Sequence, residues 1–312
     1  MPLFHIEKNK LIMAKPVNFG KEKDIQTLIE NNLQVVFNCR FIETEFSTGA
    51  EHAGRIDTLA LSEDNNPVII EYKKIASSEL VTQSLYYLSW ITDHKGDFQL
   101  AVNKRLGENI KIDWDDIRVI CIAPEYKKYD IHAVTVVGAN IELWQYKIYN
   151  TSTLYLEKRY PKSTALVLST TDKGGKNPNM VAAGKKAWET RKTIQNTFEE
   201  HFNKCDKNSK KMLQDLREFI LNIDEGVEET PTKNYVAYKV SQSFVHIKTR
   251  KEKIILFLKI NPKEIQIPKN GRDMTNKHYY FSTGELELTI SNMKEMEESQ
   301  EYIKMAFENI GG

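Results

Sequence analysis

Two carboxylates and a lysine stand where two apolar strands are expected to be buried. The stretch GRIDTLALSEDNNPVIIEYKK, Gly54 to Lys74, carries Asp57 in its first half and Glu71 and Lys73 at the end of its second. The turn cluster Glu63-Asp64-Asn65-Asn66-Pro67 between the halves predicts a β-hairpin. Side chains alternate across a strand, so Asp57, Leu59 and Leu61 share one face, and Ile69, Glu71 and Lys73 share one face of the next. If the two faces coincide, Asp57 meets Glu71 with Lys73 beside it. Two carboxylates and a main-chain carbonyl, that of Tyr72 being the natural candidate, make an oxygen-rich site for Mg²⁺, which keeps several waters. Mg²⁺ polarises a phosphodiester and lowers the pKa of its bound water, and a lysine on the same face can position or deprotonate that water. Without a cation the two acids repel, and one tends to take up a proton. The competing reading is a structural ion pair at a strand end.

The elements that must position these groups follow from periodicity. GKEKDIQTLIENNLQVVF reads as one helix, with Ile25, Leu28, Ile29, Leu33 and Val36 at helical spacing. A short strand (Leu11 to Lys15) precedes it and an extended segment, Phe41 to Phe46, follows. After the hairpin, SSELVTQSLYYLSWITDH is a second helix with Ser77 or Ser78 as N-cap. DFQLAV reads as a strand, IRVICIA as a buried strand, KYDIHAVTVV as a short helix, and IELWQYKIYN with TLYLEKR as a closing strand pair. This order predicts an α/β domain over residues 1–160, a mixed β-sheet flanked by helices. Residues 161–189 lose periodicity and are rich in Ser, Thr, Gly, Asn and Lys, as in a linker. Residues 190–312 predict a smaller α+β domain: two helices broken around CDKNSK, an antiparallel meander (NYVAYKV, SFVHIKT, KIILFLKI), the strand GELELTI and a final helix.

Composition narrows the class. The 312 residues are 40% hydrophobic and 28% charged, which fits a globular protein of two domains. No apolar run approaches the ~18–20 residues of a membrane span, and the N-terminus lacks a secretory pattern, so a membrane partner is not expected. Cys39, Cys121 and Cys205 are scattered and without CxxC spacing, which suggests a reducing, cytoplasmic setting and no zinc knuckle. Residues 1–160 hold 19 Lys and Arg against 22 Asp and Glu, and residues 161–312 hold 25 against 21. A basic stretch between Lys173 and Lys211 could track a phosphate backbone or simply form a solvated linker and helix face.

The sequence resembles the PD-(D/E)xK nuclease superfamily, the restriction-endonuclease-like fold. GRID with Asp57 and VIIEYKK with Glu71 and Lys73 match its core motif, although Ile56 replaces the proline of the superfamily name. EKDI in the first helix is similar to the E-x-x-L element, and Gln83 and Tyr87 in QSLYY are similar to the QxxxY motif of the RecB-like and NucS-like branches. The resemblance covers residues 15–160. It implies a Mg²⁺-dependent endonuclease or exonuclease, most naturally of DNA and with Mn²⁺ as a possible substitute, in repair or defence. Asp57 and Glu71 would be metal ligands, Lys73 the catalytic lysine and Glu22 the additional acid, with Gln83 and Tyr87 lining the site. Glu22 could instead be an N-terminal carboxylate favoured by the helix dipole, with Glu30 and Glu45 as rival acids, and Gln83 and Tyr87 could be a polar helix face. Arg55 could grip a phosphate or pair with a neighbouring acid. His52 lies near the site in sequence, but such a histidine is more often a loop residue; His132, His246 and His278 have no partner at metal spacing.

Cleavage of both duplex strands commonly needs two such sites, so the resemblance implies a homodimer. Two alternatives compete: a catalytically silent nucleic-acid-binding module, and a subunit active only with a helicase or recognition partner. DKGGKN is not a phosphate-binding loop and GAEHAG is not a dinucleotide fingerprint. Residues 190–312 resemble a domain family of unknown function that often follows such nucleases under a loose "predicted transport protein" label. Nothing in them supports transport; substrate or partner selection is the expected role. NGRDMTNKHYYFSTG gathers Arg272, Asp273, Lys277, His278, Tyr279 and Tyr280, which could hold bases and phosphates or form a polar loop.

Overall fold

The computed structural model describes residues 3–75, 79–108, 110–137, 140–150, 152–159, 197–275 and 284–311. Residues 161–189, Ser77 and Ser78, and Lys277 to Tyr280 lie outside the described residues. The chain divides into two compact units.

The first unit opens with a hairpin, β1 (Phe4–Glu7) against β2 (Lys10–Met13). Then come β3 (Pro16–Val17), α1 (Glu22–Glu30), α2 (Leu33–Phe37), β4 (Arg40–Ser47), α3 (Gly49–His52), β5 (Arg55–Leu61) and β6 (Pro67–Tyr72). They are followed by α4 (Glu79–Asp93), α5 (Lys95–Leu106), β7 (Arg118–Ala123), α6 (Lys128–Val137), β8 (Ile141–Tyr149) and β9 (Thr153–Lys158). The sheet runs β3-β8-β7-β6-β5-β4, and β9 also pairs with β8. It is mixed: β4 to β6 pair antiparallel, and β6, β7 and β8 pair parallel. This is the helix-flanked mixed sheet that the sequence predicts.

The burial pattern explains the layers. Val68-Ile69-Ile70 and Val119-Ile120-Cys121-Ile122 are fully buried, because central strands covered on both faces read as unbroken apolar runs. On one face Leu59, Ile69, Val119 and Cys121 pack with Leu80, Trp90 and Ile91 of α4 and Phe98 and Val102 of α5. On the other, α1 lies against β5 and β6 and buries Ile25, Gln26 and Ile29. A charged residue within β6 is therefore an exception to its surroundings.

Two helical segments of the first unit differ from the sequence expectation. DFQLAV is helix within α5: Phe98, Ala101 and Val102 are buried at helical spacing while Leu100 faces solvent. Phe98, Leu100 and Val102 alternate in the sequence, but that alternation is not the one the fold uses. The long first helix is two, α1 and α2, because the Asn32 side chain donates to the Leu28 carbonyl at 2.8 Å and ends the first.

The second unit comprises α7 (Phe198–Asn203), α8 (Lys207–Leu221), β10 (Glu228–Pro231), β11 (Val236–Lys239), β12 (Ser243–Thr249), β13 (Ile254–Leu258), β14 (Gly271–Asp273), β15 (Leu286–Ile290) and α9 (Met293–Asn309). Its sheet runs β10-β11-β12-β13-β15-β14 and is antiparallel throughout. Leu213, Leu216 and Ile220 of α8 and Ile303 and Ala306 of α9 join Val245, Ile247 and Leu256 in one core. Asp206 and Asn292 cap α8 and α9, their side chains accepting from the backbone N–H of Ser209 and Glu295. Among the described residues no helix is long and apolar enough to cross a membrane.

Candidate active site

The β5–β6 ladder pairs Leu61 with Pro67, Ala60 with Val68, Leu59 with Ile69 and Thr58 with Ile70. Continuing that register sets Asp57 opposite Glu71. There side chains take over from the backbone ladder. The Glu71 carboxylate accepts the Asp57 N–H at 3.1 Å, and the Asp57 carboxylate accepts the Tyr72 N–H at 3.0 Å. Each acid thus satisfies a backbone donor near the other, which fixes both carboxylates side by side at the end of the sheet.

The pair is held in a poor place for charge. Glu71 is only 2% exposed. Burial pushes the Asp57 carboxyl up to about 6, with Glu45 and Glu22 adding to the rise, while the Tyr72 N–H and the Lys73 ammonium oppose it. Glu71 is raised well above the ordinary range by burial first and by Asp57 second, again opposed by Lys73. Two carboxylates held together at this depth are the donor set a divalent cation stabilises. Among the described residues no group of three His, Cys, Asp or Glu side chains converges at ligand geometry. Asp57 and Glu71 are the side chains here that could contribute oxygens to a cation.

Lys73 extends just past β6, its N–H donating to the Ile122 carbonyl at 2.9 Å. Its Nζ lies 3.5 Å from Glu22 Oε1, and Glu22 Oε2 accepts the Lys74 N–H at 2.9 Å. Of the three acids considered for this role, Glu22 is the one tied to Lys73. It stands in the first turn of α1, whose N-terminus is fastened by Asp24 accepting the Lys21 N–H at 2.7 Å. Glu45 acts on the Asp57 carboxyl from β4, but its own ion pairs are with Arg55 at 2.6 Å and Lys23 at 3.1 Å. It lies between the partners of Thr58 and Ile56 on β4, with φ at 54°, a left-handed backbone that is uncommon outside glycine. Arg55, whose side chain is 68% exposed, is thus in an ion pair that solvent can loosen.

Glu30 accepts from Thr58 Oγ1 at 2.7 Å and from Gln26 Nε2 at 3.0 Å. Gln26 is a residue the sequence reading missed. It is 3% exposed, and its amide also donates to the Asp57 carbonyl at 2.8 Å and reaches Thr44 Oγ1 at 3.1 Å. It clamps the backbone of the candidate ligand from the α1 side. Its signal was a polar side chain between Ile25 and Ile29 on a helix that must cover a sheet.

Tyr87 and Gln83 approach from α4. The Tyr87 hydroxyl accepts the Arg55 N–H at 3.3 Å, and its pKa is raised by burial and then by the charges of Glu71 and Asp57. Among the described residues, no hydrogen-bond partner reaches the buried Gln83 Oε1. Gly54 makes the approach of α4 possible: a Cβ there would lie 2.9 Å from Tyr87 Cε1 and 3.0 Å from Thr48 Oγ1. The expected site residues Asp57, Glu71, Lys73, Glu22 and Tyr87 are thus gathered at one end of β5 and β6. Arg55 stands at the rim, and Gln83 lies one helical turn before Tyr87.

In the second unit, Arg272 pairs with Glu287 at 2.8 Å and Asp273 accepts the Thr275 N–H. His246 is buried in β12 and stacked on Tyr235 at 4.2 Å.

Residues 198–309 match a family model described as domain of unknown function (DUF5655). An uncharacterised protein of Haemophilus influenzae (strain Rd) is 27% identical over 317 residues, covering 99% of this chain and 100% of that one. Two solved structures show likeness to 43% of this chain. One is a complex of EndoMS with double-stranded DNA, at TM-score 0.31 and 18% identity, and the other a repair endonuclease from Pyrococcus abyssi, at TM-score 0.27 and 19% identity. Each match spans 50% of the solved chain.

Proposed function

We propose that the first unit is a Mg²⁺-dependent nuclease that hydrolyses phosphodiester bonds in DNA, with Mn²⁺ able to replace Mg²⁺. The observation that carries this reading is the Asp57–Glu71 pair, Glu71 buried and Asp57 half-buried, with Lys73 beside it. Bound there, the cation would polarise the phosphodiester and make its water acidic. Asp57 and Glu71 would hold the cation, and the Tyr72 carbonyl could add a further oxygen. The Lys73 ammonium, steadied by Glu22, donates hydrogen bonds to the phosphate oxygens as charge builds on them and helps orient the attacking water. Tyr87 and Gln83 orient the substrate and solvent around that point. Arg55 can exchange Glu45 for a phosphate oxygen at the rim. A homodimer would bring two such sites to the two strands of a duplex.

The test incubates the purified protein with labelled single-stranded, duplex and forked DNA in Mg²⁺, Mn²⁺ or EDTA, beside Lys73→Ala. Cutting that needs the metal and is abolished in Lys73→Ala supports the reading. Binding without cutting in both proteins would replace it with a binding module or a subunit that needs a partner.

A further inference from the structure

A row of rings runs along α4 and just past its end. Tyr87 begins it, its hydroxyl accepting the N–H of Arg55, two residues before Asp57. The Tyr86 ring follows at 5.9 Å, His52 lies 5.8 Å from Tyr86, and His94 lies 5.1 Å from His52. His94 stacks on Trp90 at 4.7 Å with the planes 9° apart. Tyr86 and Trp90 lie four residues apart on one face of α4, and His94 follows just past the helix end. The row is fastened by hydrogen bonds: Tyr86 OH donates to the His52 carbonyl at 2.9 Å, Trp90 Nε1 to the Thr48 carbonyl at 3.0 Å, and His94 Nδ1 lies 2.8 Å from the Trp90 carbonyl.

Fastening and exposure are graded along the row. Trp90 is buried and forms the base, His52 and His94 are half-buried, and Tyr86 is 44% exposed. A ring held this firmly yet open to solvent loses little conformational freedom when something stacks on it. We propose that Tyr86, backed by His52 and His94, is a stacking site for unpaired nucleobases next to the bond to be cut. This rests on the nuclease reading and specifies what part of the substrate adjoins the site. Bases inside a duplex have both faces covered by their neighbours, so only an unpaired, terminal or extruded base offers a face to a surface ring. Arg55, directly after Gly54, lies between this row and Asp57 in the chain and is exposed enough to meet the connecting phosphate.

The experiment measures binding by fluorescence anisotropy in EDTA, where no turnover occurs. The probes are a fluorescein-labelled blunt duplex, the same duplex with a three-nucleotide single-stranded tail, and that tail made of abasic sugars. Wild type should prefer the tailed duplex to both others. Tyr86→Ala should lose about 5- to 150-fold on the tailed duplex, the range of one base–aromatic stack, and little on the blunt one. Tyr86→Phe keeps the ring without the hydroxyl and should stay within about threefold of wild type, the hydroxyl's single bond to the His52 carbonyl being lost. The abasic tail needs no change to the protein, so a folding defect in a variant cannot mimic the result. Equal affinity for normal and abasic tails would overturn the proposal and leave the rings as a fastening between α3 and α4. If metal-dependent cutting by the wild type persists in that case, the nuclease reading survives; absence of both binding and cutting overturns the two together.

Discussion

Removing one charge from the candidate site should make the metal-free protein more stable. Asp57 has an ordinary carboxyl pKa of 3.8 and is pushed to about 6 in the fold. Below pH ~3.8 both folded and unfolded chains hold the proton and the group is neutral in effect. Between ~3.8 and ~6 the unfolded chain releases it first, so stability falls as pH rises. Above ~6 the full penalty applies, about 3 kcal/mol for a shift of this size. Asp57→Asn removes the ionisation and keeps an amide oxygen to accept the Tyr72 N–H. In EDTA at pH 8 the variant should therefore be about 3 kcal/mol more stable, about 6–12 °C in the transition of the first unit. At pH 5 the advantage should shrink to about 1.5 kcal/mol. Scanning calorimetry at both pH values reads this directly. Saturating Mg²⁺ should raise the wild type, by about 2.7 kcal/mol at a hundred times its dissociation constant, and leave Asp57→Asn unmoved. If Asp57→Asn lowers stability equally at pH 5 and pH 8, Asp57 is a structural partner and the reasoning is refuted.

Three further outcomes follow from the packing around the site. Gln26→Leu strips donors from the Asp57 carbonyl and Glu30 in a buried setting; urea denaturation should show a loss of about 1–3 kcal/mol. Gly54→Ala drives a methyl against Tyr87 Cε1 and Thr48 Oγ1; it should cost about 1–3 kcal/mol and change the near-ultraviolet dichroism of the aromatic row. Arg118 is buried and forks onto Glu142 at 3.0 and 2.9 Å. Arg118→Ala leaves that carboxylate with a weaker set of partners, and a loss of about 3–5 kcal/mol in the same denaturation assay is expected.

The core of the site was legible because a strand's alternation is rigid: once Asp57 and Glu71 were assigned to facing strands, register could bring them together only one way. Glu22 was legible as a first-turn acid, but that it pairs with Lys73 while Glu45 pairs with Arg55 and Lys23 is a matter of side-chain reach that no sequence pattern marks. Gln26 stayed hidden because helix reading weighs apolar positions, and a buried amide serving a backbone carbonyl has no period of its own. The aromatic row was visible only as QSLYYLSW, and His52 joins it through the turn between β4 and β5. α5 was misread because Phe98, Leu100 and Val102 alternate by chance over a span too short to separate periods. β10 and β14 were missed for a different reason. Both are edge strands, one charged and ending in Pro231 and the other three residues long, and such edges are kept short and polar.

The central claim is that the buried Glu71 and half-buried Asp57 carboxylates stand together in order to hold a divalent cation. Titrating Mn²⁺ into the protein and counting free metal by electron paramagnetic resonance tests it without any substrate. The account predicts saturable binding in the wild type, competed by Mg²⁺, and its loss in the Asp57→Asn, Glu71→Gln double variant. Equal binding by both proteins, or none by either, would contradict it.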